Sequence, residues 1–140
     1  MNLIEELEDQ FAAERLTLER PLQLSTCRGP LTLRGAKSGR DFIAGLADGI
    51  LHAIPIGKVR SLEAGDPPVC EDSSFVSFLA SQREPVRVFI PSDSGASSHW
   101  LLNLSGPWVR LGCRDGTSWH PVSNIELVQV GPVDNQKLSR

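Results

Sequence analysis

The spacing of hydrophobic residues changes near residue 21. Among the first nineteen residues, apolar side chains recur at helical intervals, as at Leu3, Leu7 and Phe11, and acidic residues fill the positions between them. This spacing predicts an amphipathic helix over residues 1–19. Pro21 follows, and because the residue before a proline disfavours helical geometry, the helix is expected to end there.

After Pro21 the apolar period becomes two, which is typical of strands in a half-exposed sheet. Turn residues interrupt the pattern at short intervals, and Asp48-Gly49 is a strong signal for a two-residue hairpin. Pro55 ends a run of pairing because proline has no amide proton to donate. Residues 20–65 therefore predict five short strands, with a single 3₁₀ turn after Pro55 and before the last strand.

The second half of the chain repeats this order at a distance of 66 residues. The segment 55–65 aligns without a gap on 121–131, and Trp108-Val109-Arg110-Leu111 aligns on Phe42-Ile43-Ala44-Gly45. Similarity at a fixed period indicates a repeated supersecondary unit. The alternative is that two unrelated β segments share a common strand-ending pattern. The matching order of strands and turns throughout both halves favours the repeat.

The repeat predicts how the chain is organised. We expect an acidic amphipathic helix over 1–19, a first small β-barrel over 20–65, a linker with a short helix over 66–84, a second small β-barrel over 85–131 and a flexible tail over 132–140. One five-stranded barrel of this length buries few residues, and a packed pair has a larger core. The predicted fold is mainly β with an N-terminal α-helix and two five-stranded barrels packed as a pseudo-symmetric pair. This predicted fold implies that both halves have the same strand order and that each half forms its own separate sheet.

Five strands with one 3₁₀ turn before the last resemble SH3-like and Sm-like small barrels. The second copy, with Trp108 early and Asp115-Gly116 in the turn, is similar to the distal half of an SH3 domain. The first copy resembles an Sm/Hfq-type unit, since a helix precedes it and Leu51-His52-Ala53-Ile54 is similar to that family's second motif. The resemblance implies peptide binding for an SH3 groove and RNA binding for an Sm pore. The chain contains no Tyr, lacks the SH3 aromatic strip and has Leu51 where Hfq-type proteins carry a basic residue.

Charge is unevenly distributed along the chain, although the net charge of the 140 residues is only −3. Residues 1–19 contain six acidic residues and one basic residue, whereas residues 20–65 contain seven basic residues and three acidic ones. One interpretation is an anion or nucleic-acid patch on the first barrel. Its candidate residues are Arg28, Arg34, Lys37, Arg40 and Lys58. The alternative is that acidic segments of the same chain neutralise these charges, or that all are simply solvated.

Other chemistry has little support in the sequence. The three cysteines, Cys27, Cys70 and Cys113, form no C-x-x-C pair, so neither a disulfide framework nor a zinc site is expected. Gly35-Ala36-Lys37-Ser38 lacks the residue order of a phosphate loop and is expected to be a strand turn. No nucleophile–base motif is present, and we expect no catalysis, metal or cofactor. A cytoplasmic protein without membrane contact is expected, since no apolar run approaches the length of a membrane span.

The tryptophans leave two possibilities open, because Trp in a small barrel either packs in the core or forms a recognition surface. The candidate protein-interaction surface comprises Leu3, Leu7, Phe11, Trp108 and Trp119. We expect a non-enzymatic interaction or adaptor protein that binds a protein partner or associates with itself. The alternative function is Sm-like binding of single-stranded RNA through the basic first barrel.

Overall fold

The computed structural model describes residues 21–91 and 98–131, which form a mainly β protein with little helix. The predicted N-terminal helix, most of the loop after Pro91 and the tail after Gly131 lie outside the described residues. The strands are β1 (Leu22–Thr26), β2 (Gly29–Ser38), β3 (Phe42–Ala47), β4 (Ile50–Pro55), β5 (Val59–Ala64), β6 (Val86–Phe89), β7 (Ser98–Ser105), β8 (Trp108–Cys113), β9 (Gly116–Pro121) and β10 (Leu127–Val130). The short helix is α1 (Phe75–Ala80), and 3₁₀ turns span Ile56–Lys58 and Val122–Asn124.

The repeat seen in the sequence is also present in the strands. Strands β3 and β8, strands β4 and β9, and the two 3₁₀ turns each begin 66 residues apart. The first half has the strand order β5-β1-β2-β3-β4, and the second half has the corresponding order β10-β6-β7-β8-β9. The prediction of one strand order in both halves is therefore confirmed.

The two halves share one sheet. Strand β4 pairs antiparallel with β10, so that Ala53 lies opposite Val128 and His52 lies opposite Gln129. All ten strands consequently form a single antiparallel sheet. The prediction of two separate sheets is wrong. Within its own half, each of β4 and β10 pairs with another strand on one side only. Pairing β4 with β10 satisfies the backbone N–H and C=O groups on their other sides, which would otherwise need water.

Two buried clusters occupy opposite faces of this sheet. The cluster of the first half consists of Leu22, Leu24, Leu33, Ile43, Ala47 and Ile54. The larger cluster combines the second half with helix α1 and with Phe42, Ala44 and Ala53 of strands β3 and β4. Neighbouring residues of β3 thus face different cores. Because β3 and β4 are covered on both faces, their sequences are nearly continuous apolar runs without polar alternation.

Helix α1 is held against the turn between β2 and β3. The side chain of Ser74 caps the helix by accepting a hydrogen bond from the backbone N–H of Ser77 at 3.1 Å. Asp41 Oδ1 accepts a second one from the backbone N–H of Phe75 at 2.7 Å. The ring of Phe78 then packs 5.0 Å from that of Phe42. The helix in the predicted linker is therefore part of the packed structure.

Candidate functional site

The predicted anion patch is partly neutralised within the chain. Arg28 Nη1 lies 2.9 Å from Glu126 Oε1, and the Arg28 guanidinium stacks 4.9 Å from the ring centroid of Phe89. Arg40 Nε lies 3.3 Å from Asp72 Oδ1 at an exposed position. Two of the five predicted basic residues therefore already have acidic partners in other segments, as the compensation hypothesis expects.

The remaining basic residues do not converge on one point. Lys58 lies in the first 3₁₀ turn, where its carbonyl accepts a hydrogen bond from the backbone N–H of Cys27 at 3.0 Å. Arg34 and Lys37 are exposed on β2. They lie opposite Leu46 and Ala44 of β3, respectively, so their side chains share one face of the sheet. Arg34 and Lys37 are the exposed pair of the predicted patch.

An apolar groove lies beside Lys37, between strands β2 to β4 and helix α1. Its volume is about 550 Å³, and its lining includes Phe42, Leu46, Leu51 and Phe78. The string Gly35-Ala36-Lys37-Ser38 lies in strand β2, where the pairing register shifts between Arg34 and Lys37 and Gly35 has a φ of +61°, so it forms a β-bulge and not the predicted turn. Among the described residues, Lys37 and Glu71 also line the groove, and Phe42 and Ala44 of its floor belong to the larger core cluster.

Among the described residues, the aromatic side chains with the greatest exposure lie on strands β8 and β9. Trp108 and Trp119 are each 47% exposed, whereas Val109 and Leu111 are fully buried on the opposite face. Trp119 lies directly opposite Arg110 in the β8–β9 pair. Since residues opposite each other share a face, as do residues two apart on a strand, Trp108, Arg110 and Trp119 form one surface. Of the two possibilities for the tryptophans, the surface position holds for Trp108 and Trp119.

This surface extends onto strand β7. Leu102 is 53% exposed, and it packs over Gly112, where a Cβ would come within 2.8 Å of Leu102 Cδ1. Trp100 is half-buried, with the guanidinium of Arg87 5.2 Å from its ring centroid. We call Leu102, Trp108, Arg110 and Trp119 the tryptophan face. Sequence reasoning missed Leu102 and Arg110, although the 66-residue alignment places Arg110 where the first half has Ala44.

The tryptophan face lies at one end of the sheet. Within the described residues, β9 and β5 are the two terminal strands, and each has a strand partner on one side only. A terminal strand presents unpaired N–H and C=O groups that can bind another strand. The exposed tryptophans and an available strand edge therefore coincide at β9. Leu3, Leu7 and Phe11, the other predicted interaction residues, lie outside the described residues.

The thiol nearest to charged groups is a weak nucleophile. Cys27 Sγ lies 3.4 Å from Glu126 Oε2, and burial together with this carboxylate raises the pKa of the thiol. A raised pKa keeps the sulfur protonated near neutral pH, whereas nucleophilic attack requires the thiolate. The nearby cations Lys58 and Arg28 act in the opposite direction but do not outweigh burial and Glu126, so the pKa of Cys27 stays raised.

Two histidines lie near each other in the second half. The rings of His99 and His120 are 6.0 Å apart, and Nδ1 of His99 is buried without a hydrogen-bond partner among the described residues. Burial, followed by the proximity of His120, lowers the pKa of His99. No group of three or more potential metal ligands occurs in the described ranges.

Comparison of the chain with protein-family models, with curated proteins and with solved structures gives no match in any of the three. In the part of the chain that the structure describes, no helix has the length and apolar character needed to span a bilayer.

Proposed function

We propose that this chain is a non-enzymatic interaction protein and that its partner binds the tryptophan face. The observation that carries the proposal is the pair of half-exposed tryptophans beside Arg110 at the terminal edge of the sheet. Trp and Arg are the residue types that most often dominate binding energy when a partner excludes water from them. A partner that covers Trp108 and Trp119 would also gain backbone hydrogen bonds if it paired with β9.

We further infer that the two halves are small barrels of SH3-like or Sm-like type, joined edge to edge through β4 and β10. In each half the last strand pairs with the first, as β5 does with β1 and β10 does with β6. Each half also has a single 3₁₀ turn immediately before its last strand. These two features support the inference, and the shared sheet makes the pair one interaction scaffold.

A comparative pull-down tests the proposed function. The bait is the full chain, and the test variant carries Trp108→Ser together with Trp119→Ser. Val69→Ser is the matched control, since Val69 is 87% exposed in the stretch between the halves. Bound proteins and RNA are quantified from native lysate and include untagged copies of the chain itself. We expect the test variant to lose specific protein partners that the wild type and the control retain. Equal recovery by all three baits would overturn the proposal.

The alternative function is binding of single-stranded nucleic acid by Arg34 and Lys37. It is favoured by the exposure of both residues on one face of β2, where no ion pair engages them among the described residues. Such binding weakens steeply with salt because it releases counterions. Affinity for a single-stranded RNA, measured over a salt series, should fall when Arg34→Glu and Lys37→Glu are combined. Undetectable binding at low salt would remove this alternative.

A further inference from the structure

At the β4–β10 junction, the second half of the chain covers one face of strands β3 and β4 of the first half. Ala53 of β4 and Val128 of β10 lie opposite each other, and both are fully buried. Phe42 and Ala44 of β3 belong to the same cluster and are also buried. The face of β3 and β4 that carries these residues is therefore covered by β10, its neighbouring strands and helix α1.

Strands β8 and β9 of the second half carry the surface equivalent to this buried face of β3 and β4, but there it is exposed. At a distance of 66 residues, Trp108 corresponds to Phe42, Arg110 to Ala44 and Trp119 to Ala53. Phe42 is 5% exposed and Ala53 is not exposed at all, whereas both tryptophans are 47% exposed. The tryptophan face is thus the repeat of a surface that the structure shows engaged in the first half.

Strand β5 of the first half is equivalent to β10, the strand that covers β4, and its equivalent apolar residue is also exposed. Leu62 of β5 lies opposite Leu24 of β1, just as Val128 of β10 lies opposite Val88 of β6. Val128 is fully buried, but Leu62 is 37% exposed. Strands β5 and β9 are at opposite ends of the strand order, and within the described residues they do not pair with each other.

We propose that the tryptophan face binds strand β5 of a second copy of the chain, which repeats the internal β4–β10 pairing between molecules. The proposal rests on the interaction function stated above and names its partner. Transferring the observed register places Leu62 of one copy opposite Trp119 of the other. It also places Glu63 opposite Ser118, at the positions that Gln129 and His52 occupy in the junction. In the single chain both side chains have local partners, since Ser118 Oγ lies 2.7 Å from Nε2 of His120 and Glu63 Oε1 accepts from the Ser61 hydroxyl at 2.7 Å.

The two contacting surfaces differ, so the association is head-to-tail. Every copy contributes β5 on one side and β9 on the other, and such an interface forms a ring if the rotation closes and a filament if it does not. Both terminal edges of the sheet are then paired, which removes the exposed strand edges of the single chain.

Sedimentation velocity over a concentration series tests the proposal on the full chain. The wild type should sediment as a species larger than one chain at the higher concentrations. Leu62→Arg and Trp119→Arg should each weaken association by about tenfold or more, because a charge replaces an apolar contact at the centre of the interface. Val69→Arg is the control and should behave as the wild type. An equal mixture of Leu62→Arg and Trp119→Arg should form a one-to-one dimer, since each variant retains the surface that the other lacks.

Circular dichroism and urea midpoints establish whether each variant is folded. If an arginine variant is unfolded, the corresponding serine variant, Leu62→Ser or Trp119→Ser, is used in its place. A wild type that is monomeric throughout the series overturns the proposal, as does a mixture that does not dimerise. The pull-down separates this result from failure of the proposed function. If the wild type is monomeric and Leu62→Arg captures the same proteins as the wild type, the tryptophan face binds a different protein. If the tryptophan variants change neither association nor capture, both proposals fall.

Discussion

Arg28 and Glu126 are 98 positions apart in the sequence, yet Arg28 Nη1 lies 2.9 Å from Glu126 Oε1. The pair joins the turn between β1 and β2 to the segment immediately before β10. The backbone N–H of Glu126 also donates to the carbonyl of Phe89, whose ring lies beneath the Arg28 guanidinium. One side chain from the first half is therefore anchored at two points of the second.

A double-mutant cycle measures this link between the halves. Arg28→Ala and Glu126→Ala should show a coupling free energy of about 1 kcal/mol in urea unfolding, since both side chains are largely buried and hydrogen-bonded. The Arg40–Asp72 pair is the control within the same protein, because its side chains are 62% and 92% exposed. Its coupling should be near zero. Similar coupling for the two pairs would contradict the role of Arg28.

Gln129 is a hydrogen-bond partner of the buried His52 imidazole at the β4–β10 junction. His52 Nδ1 lies 2.8 Å from the carbonyl of Ile50, which only accepts, so the proton is on Nδ1 and Nε2 accepts from Gln129 Nε2 at 3.2 Å. Gln129→Ala leaves Nε2 unpaired and should lower the free energy of unfolding by about 1–3 kcal/mol. Gln23→Ala, on the exposed side of β1, should change it little. Equal effects of the two substitutions in urea titrations would refute this account.

Asp41 holds the start of helix α1 from outside the helix. Asp41→Ala removes the acceptor for the backbone N–H of Phe75, and unfolding should become easier by about 1 kcal/mol. Asp66→Ala provides the comparison, since Asp66 is exposed in the stretch before the helix. Thermal unfolding followed by circular dichroism measures both variants. A loss no greater at Asp41 than at Asp66 would rule out the proposed capping role.

The equivalent positions Phe42 and Trp108 should respond differently to truncation. Phe42→Ala empties a buried site and should cost about 3–5 kcal/mol of folding stability. Trp108→Ala removes a half-exposed side chain and should cost much less in the isolated chain, about 1 kcal/mol. Urea unfolding should be measured at a concentration where sedimentation shows single chains. Comparable losses at the two positions would mean that Trp108 already packs in the core of the single chain.

His99 should make stability depend on pH. Its pKa is lowered from the usual value of 6.5 in the folded state, so the unfolded chain takes up a proton first as the pH falls. Stability is therefore full above pH 6.5 and decreases as the pH is lowered through 6.5 towards the folded-state pKa. Urea unfolding between about pH 8 and about pH 5, where most carboxylates stay ionised, should show a smaller slope for His99→Gln than for the wild type. An unchanged slope would assign the dependence to other groups.

The strand positions were largely predictable because they depend on local chemistry. Asp48-Gly49 and the prolines at 55 and 121 end strands through constraints that act within a few residues. The exposure of the tryptophans was not predictable in this way. In the sequence, Trp108 and Phe42 are equivalent aromatic residues of equivalent strands, and nothing local distinguishes them. Only the structure distinguishes the two residues. Helix α1 and β10 cover Phe42, whereas within the described residues no strand pairs with the outer edge of β9, the strand next to Trp108.

By itself, the sequence determined the repeat, the order of strands and turns in each half, and the uneven distribution of charge. Periodicity, turn residues and proline act over short distances, so each is visible in the order of residues alone. The tertiary structure decided that β4 joins β10 into one sheet, that Glu126 neutralises Arg28, and that Trp119 and Leu62 are left exposed at opposite ends. These outcomes depend on which edges meet when the two halves pack, and pairing between distant strands leaves no local signal in either strand.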